Sequence, residues 1–179
     1  ELPRHRVVRT PPISAAAGDG SSSDLRKGLS PTRRRRLRCE PCRMDEIPAG
    51  LSAFLAAVQS RDAKGAAAQL AEYVILESPI ADAPYVGREQ VGNVIARLID
   101  VFDEFTVTEI IVGDGYFAVV TNARIGTTEI DSVDLVGINA EGKVASLSIY
   151  SRPLRAVVEL QNRLAPALAM PVLKVAEEL

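Results

Sequence analysis

The stretch Asp131–Pro153, DSVDLVGINAEGKVASLSIYSRP, decides the fold. It reads as two strands joined by a tight turn. Val133, Leu135, Val136 and Ile138 make the first strand largely apolar. Asn139-Ala140-Glu141-Gly142 is the turn, with Gly142 where a positive φ is needed. Val144 to Tyr150 is the return strand, in which Ala145, Leu147 and Ile149 alternate with Ser146, Ser148 and Tyr150. One residue breaks the pattern. Asp134 is a carboxylate between Val133 and Leu135. Such an acid is either a surface residue on a one-sided sheet or the polar floor of a pocket.

Working outward, the hairpin is the end of a longer meander. Phe105 to Val112 and Tyr116 to Gly126 read as strands around Gly113-Asp114-Gly115, a turn without the helix and Lys of a phosphate loop. In the second strand Phe117, Val119, Thr121, Ala123 and Ile125 share one face. Upstream, Arg88 to Phe102 carries Val91, Val94, Ile95, Leu98, Ile99 and Phe102 at helical spacing. Ile47, Leu51, Phe54, Leu55 and Val58 mark an earlier helix, and Asp62 can cap a short Ala-rich one from Ala63 to Glu72. Tyr73 to Ser78 is a strand stopped by Pro79, and Ile80 to Gly87 a loop. Leu154, Val157, Val158, Leu160 and Leu164 mark a closing helix that should stop before Pro166. Helices segregated from an antiparallel run of strands give an α+β class. The expected architecture is a cone-shaped curved antiparallel or mixed sheet wrapped around the N-terminal helices, with an apolar interior.

Composition narrows the chemistry. The only His is His5 and the only Cys are Cys39 and Cys42, all near the start of the chain. The patterned region therefore has no Ser-His or Cys-His nucleophile and no His-ligated metal. A lone C-x-x-C is half a zinc site, so no metal and no cofactor is expected. No apolar run approaches the roughly 20 residues of a membrane span, and no secretory signal is visible. A cytoplasmic protein is expected.

Charge is divided unevenly. Residues 1–43 hold eleven Lys/Arg against four Asp/Glu, which leaves ten basic and nineteen acidic of the 21 and 23 in the whole chain. The patterned part is acidic, so nucleic-acid binding by its surface is not expected. The first 43 residues hold Pro3, Pro11, Pro12, Pro31, Ser21-Ser22-Ser23 and the run Arg33-Arg34-Arg35-Arg36. They are expected to be a disordered basic extension. Met44, directly before DEIPAGLSAFLAAV, reads as the natural start. The expected domain spans 44–165, followed by a helical tail over 166–179.

From Leu51 onward the chain resembles the nuclear transport factor 2-like superfamily, which includes ketosteroid isomerases and SnoaL-like polyketide cyclases. Three segments carry the resemblance: FLAAVQSRDAKGAAAQLAEYVILESPI (Phe54–Ile80), YVGREQVGNVIARL (Tyr85–Leu98) and VDLVGINAEGKVASLSIYSRPL (Val133–Leu154). The resemblance implies a pocket for an apolar, even polycyclic, small molecule. The open face of such a sheet would expose apolar strands, so a homodimer through that face is expected. Activity does not follow from the fold, because this superfold hosts many functions. Of the isomerase's catalytic groups, the proton-shuttling Asp falls on Ser78, the oxyanion Tyr on Phe54 and the oxyanion Asp on Asp134. One of three is kept, so a carbon-acid isomerase is not matched in full.

Asp134 is the candidate acid/base residue. Phe54, Ser78, Tyr85 and Tyr150 are candidate ligand contacts. Two readings stay open: an isomerase- or cyclase-type acid/base site at Asp134, or a non-catalytic binding or dimerisation module in which Asp134 is structural, paired with Arg124 or Arg152. Glu77, beside Ser78, is the nearest substitute base, but strand alternation points it to the opposite face.

Overall fold

The computed structural model describes Arg6–Arg9 by backbone, and residues 47–113 and 115–174 in full. These belong to one compact unit. The Arg33–Arg36 run, Met44, His5, Cys39 and Cys42 lie outside the described residues, as do most of the expected extension and the end of the tail.

In chain order the elements are β1 (Arg6–Arg9), α1 (Ala49–Gln59), α2 (Ala63–Ala68), β2 (Leu70–Glu77), β3 (Tyr85–Val86), α3 (Arg88–Val101), β4 (Glu104–Val112), β5 (Phe117–Ile125), β6 (Thr128–Ile138), β7 (Val144–Arg152) and α4 (Leu154–Leu168). The class is α+β. Seven strands form one curved, unclosed sheet in the order β1-β4-β5-β6-β7-β2-β3. All neighbours are antiparallel except β2 and β7, which run parallel, so the sheet is mixed.

The hairpin of β6 and β7 forms as its sequence demands. Gly142 sits at φ 75°, and Asn139 closes the turn by accepting the Lys143 N–H on its side chain at 2.8 Å. The start of α1 lies against this turn. A Cβ placed on Gly50 would stand 1.8 Å from the Gly142 carbonyl oxygen, so only glycine allows the approach. Asp62 caps α2 by accepting the Gly65 N–H at 2.9 Å.

Sheet alternation sorts the side chains into two faces. Leu70, Val74, Leu76, Val119, Val136, Val144 and Leu147 are buried on the concave face, against Leu51, Phe54, Val91, Val94 and Ile95 from α1 and α3. A second cluster lies beside it, where Ala156, Val157, Leu160 and Leu164 of α4 cover Ala123, Ile125 and Ile130. The convex face carries Tyr73, Ile75, Val133 and Tyr150, all exposed.

Several element boundaries differ from the sequence reading. The Ala-rich helix stops at Ala68, because Leu70 and Ala71 already belong to a strand that pairs with β7. Tyr85–Val86, expected in a loop, pairs with Leu76 and Ile75 as a short edge strand. Arg6–Arg9, within the expected extension, pairs with Glu109–Val112 at the other edge. The closing helix passes Pro166 and ends at Leu168, two residues beyond the proline, which has no N–H to offer the Asn162 carbonyl. Met170 to Lys174 is not helical. It folds back along α4, where Gln161 donates to the Pro171 carbonyl at 3.1 Å and Asn162 exchanges two hydrogen bonds with Leu173. Val133, expected in a largely buried strand, is 39% exposed because only its even-numbered neighbours face inward.

Candidate functional site

Asp134 stands on the concave face of β6, opposite Val119 of β5 and Ile149 of β7. It faces a cavity of about 90 Å³ between the sheet, the ends of α1 and α3, and Leu160 of α4. The walls are mostly aliphatic and aromatic: Val58, Ile95, Ile99, Phe102, Phe105 and Ile130 are among them. The polar atoms gather on the sheet side. Thr121, Ser132 and Ser151 form a row across β5, β6 and β7, one pair of residues along from Asp134. The Ser132 and Ser151 hydroxyls bond each other at 2.8 Å. Ser78 closes the polar side from the end of β2.

The Asp134 carboxyl is the unusual group here. The residue as a whole keeps some exposure, yet its Oδ1 is buried and has no hydrogen-bond partner among the described residues. Burial pushes its pKa up to about 7, because the charged form loses hydration and gains no cation in return. The two arginines considered as partners are engaged elsewhere. Arg124 binds Glu104, and Arg152 lies 3.1 Å from Asp131 on the convex side. Among the described residues neither arginine pairs with Asp134. A carboxyl of this kind, half protonated near neutral pH, can donate a hydrogen bond or exchange a proton with a guest.

The other candidates are dispersed. Ser78 lines the same cavity as Asp134. Phe54 is buried in the first core cluster, one helical turn before Val58, which does reach the cavity. The Tyr85 hydroxyl is directed at the Met170 sulfur, 3.8 Å away. Tyr150 lies on the convex face, 61% exposed, in an open groove of about 430 Å³ with Val133, Asp131 and Arg152. Glu77 also points outward, accepting from the Ser148 hydroxyl at 2.6 Å. Sequence reasoning passed over Ser132, Ser151 and Thr121 as site residues. The signal that could have found two of them is register: Ser132 lies two residues from Asp134 on the same strand face, and Ser151 pairs with Ser132 across the hairpin.

Among the described residues no group of three or more His, Cys, Asp or Glu could hold a metal ion. No helix of the described residues is long and apolar enough to cross a membrane.

Comparison with known proteins agrees with this architecture. The SnoaL-like domain family matches residues 51–151. No curated protein matches by sequence. A structure of an uncharacterised bacterial protein with a cystatin-like fold from Silicibacter pomeroyi is similar at 22% identity and a TM-score of 0.66, over 70% of this chain and 89% of that one. A steroid delta-isomerase from Pseudomonas aeruginosa is similar at 24% identity and a TM-score of 0.61, over 68% of this chain and 93% of that one. A protein with a ketosteroid isomerase-like fold from Catenulispora acidiphila, solved with trimethylamine, is similar at 17% identity and a TM-score of 0.52, over 71% and 97%. At these identities the likeness is one of fold.

Proposed function

Because the chain belongs to the SnoaL-like domain family, whose fold offers a pocket without dictating its chemistry, we propose that it binds a small apolar molecule with Asp134 as hydrogen-bond donor and acid/base group. One observation carries the proposal: a buried carboxyl oxygen with no partner among the described residues faces a mostly apolar cavity. Leaving such a group unpaired costs stability, and a guest atom that accepts or donates a proton would satisfy it. With its proton on, Asp134 donates to a carbonyl oxygen. If negative charge develops on that oxygen, the same hydrogen bond strengthens, which is the condition for accelerating an isomerisation or cyclisation step.

A specific observation favours the non-catalytic alternative. A proton taken from carbon needs a base within reach, and the cavity lining offers hydroxyls from Ser78, Thr121, Ser132 and Ser151 beside the single carboxyl. Hydroxyls are not bases at neutral pH. In that reading the site binds and does not turn over. The cavity of about 90 Å³ is smaller than the roughly 150 Å³ that accommodates benzene. The group beside Asp134 is therefore small, and no polycyclic skeleton fits there intact.

The exposed Tyr73, Ile75, Val133 and Tyr150 support a homodimer through the convex face of the sheet. The same proposal includes a cytoplasmic location and no nucleic-acid partner for the acidic domain. 2-Butanone, a ketone smaller than benzene, tests the site. Its affinity for the full chain, measured by calorimetry, should fall as pH rises through 7 as Asp134 loses its proton. Asp134→Asn, which keeps a donor but does not titrate, should bind without that transition. Identical pH profiles in the two proteins would remove Asp134 from the proposal.

A further inference from the structure

A second, outer cavity of about 310 Å³ adjoins the one at Asp134. The two have four lining residues in common: Val58 near the end of α1, Ile99 and Phe102 at the end of α3, and Phe105 at the start of β4. These four side chains form the partition. All belong to the ends of elements, where local rearrangement costs least. The rings of Phe102 and Phe105 stack across the middle, 6.2 Å apart and inclined by 23°.

The side chain of Arg61 fastens the α3 end of this partition. Arg61, in the turn between α1 and α2, has a left-handed backbone at φ 60°, a conformation that L-residues adopt at a cost. Its guanidinium donates to the carbonyl oxygens of Ile99 at 3.3 Å, Phe102 at 2.5 Å and Asp103 at 2.7 Å. The last carbonyls of a helix have no partner within it, and a cation there also suits the helix dipole. These bonds reach across some forty residues and are largely exposed, so they fasten the end of α3 without burying it.

We infer that the site takes an elongated ligand that crosses this partition, with a small hydrogen-bonding head at Asp134 and a longer tail in the outer cavity. The inference rests on the reading of the Asp134 cavity as a ligand site. Size supports it. The inner cavity alone falls short of the roughly 300–1,000 Å³ usual for a ligand pocket, while the outer one reaches that range. The chemistry is graded to match. The head meets a carboxyl and hydroxyls, the middle of the ligand lies against Phe102 and Phe105, and the far end reaches a polar rim of Gln59, Arg61, Asp103, Glu104 and Thr106. The ligand class is an amphiphilic chain with a terminal or near-terminal carbonyl. The Phe102–Phe105 pair acts as the gate and Arg61 as the positioning residue that sets it.

The chain has no tryptophan, so a single introduced indole reports alone. Gln59→Trp and, as a second placement, Thr106→Trp both put it at exposed positions lining the outer cavity. The probes are 2-butanone and 2-decanone, with affinity measured by calorimetry on the unsubstituted chain and on Asp134→Leu. Each buried methylene contributes about fourfold in affinity. The expected result is that 2-decanone binds more than tenfold tighter than 2-butanone, shifts the indole emission in at least one placement, and loses affinity in Asp134→Leu. If 2-butanone binds through Asp134 while 2-decanone binds no better, the partition does not open and the inference fails with the Asp134 site intact. An indole shift by 2-decanone that is indifferent to Asp134→Leu places that ketone in the outer cavity alone, and likewise overturns it. If neither ketone binds, the Asp134 reading fails first and takes the inference with it.

Discussion

Replacing Asp134 by Asn should make the protein more stable at neutral pH, and the pH dependence of the gain is the informative part. In the unfolded chain the carboxyl titrates near 3.8, and in the fold near 7. Below about pH 4 it is protonated in both states and costs nothing through ionisation. As pH rises from 4 to 7 the unfolded chain ionises while the folded one holds its proton, so folding loses stability progressively. Above 7 both are ionised and the loss is complete. At 1.36 kcal/mol per pH unit the loss amounts to roughly 4 kcal/mol. Water entering the cavity around the charged form lowers that figure, which is therefore an upper bound. It is still a large share of the 5–15 kcal/mol typical of a domain. The asparagine variant does not titrate. Its stability relative to the unsubstituted protein should climb by up to about 3 kcal/mol between pH 4.5 and 7.5. Urea unfolding followed by circular dichroism at several pH values measures this. Any constant offset, from the amide's own fit in the cavity, cancels in the comparison. A difference that stays flat over this window would refute the reasoning, because it would mean that the folded carboxyl titrates as it does in the unfolded chain.

Gly50→Ala should destabilise the fold by about 1–3 kcal/mol in the same unfolding assay, since the added methyl meets the Gly142 carbonyl and α1 must lift from the hairpin turn. Tyr150→Glu should convert a dimer to a monomer in analytical ultracentrifugation with the far-ultraviolet spectrum unchanged, because it places a charge in the exposed apolar part of the convex face. An unchanged sedimentation coefficient at equal concentration would overturn the proposed dimer through this face.

The fold was readable wherever period and punctuation agreed. The 3.6-residue pattern of α3 and the turn at Gly142 identify their elements without help. So does Asp134, because a carboxylate in an apolar strand is conspicuous on its own. What could not be read depends on partners distant in the chain. Leu70–Glu77 becomes a strand from its first residue because β7 lies beside it, more than seventy residues later. Tyr85 and Val86 have no strand signature and pair only because β2 offers an edge. The serine row fails to announce itself for the same reason: serines are common on strands, and only the register of β6 against β7 brings Ser132 and Ser151 together beside the acid. Tyr150 illustrates the opposite error, in which a polar aromatic near a candidate site lies on the outward face of its strand.

The parallel pairing of β2 with β7 bears on how the protein is made. β2 is synthesised early, yet its neighbour in the sheet is the last strand of the domain. A nascent chain that has emerged as far as β6 holds α1 to α3 with the inner edge of β2 still open, and long-range closure of this kind is slow. The sheet can close only after Arg152 has cleared the ribosomal exit tunnel. Synthesis of the domain and its folding are therefore largely successive events, and a nascent chain arrested before β7 presents an unpaired strand edge to whatever holds it in the meantime.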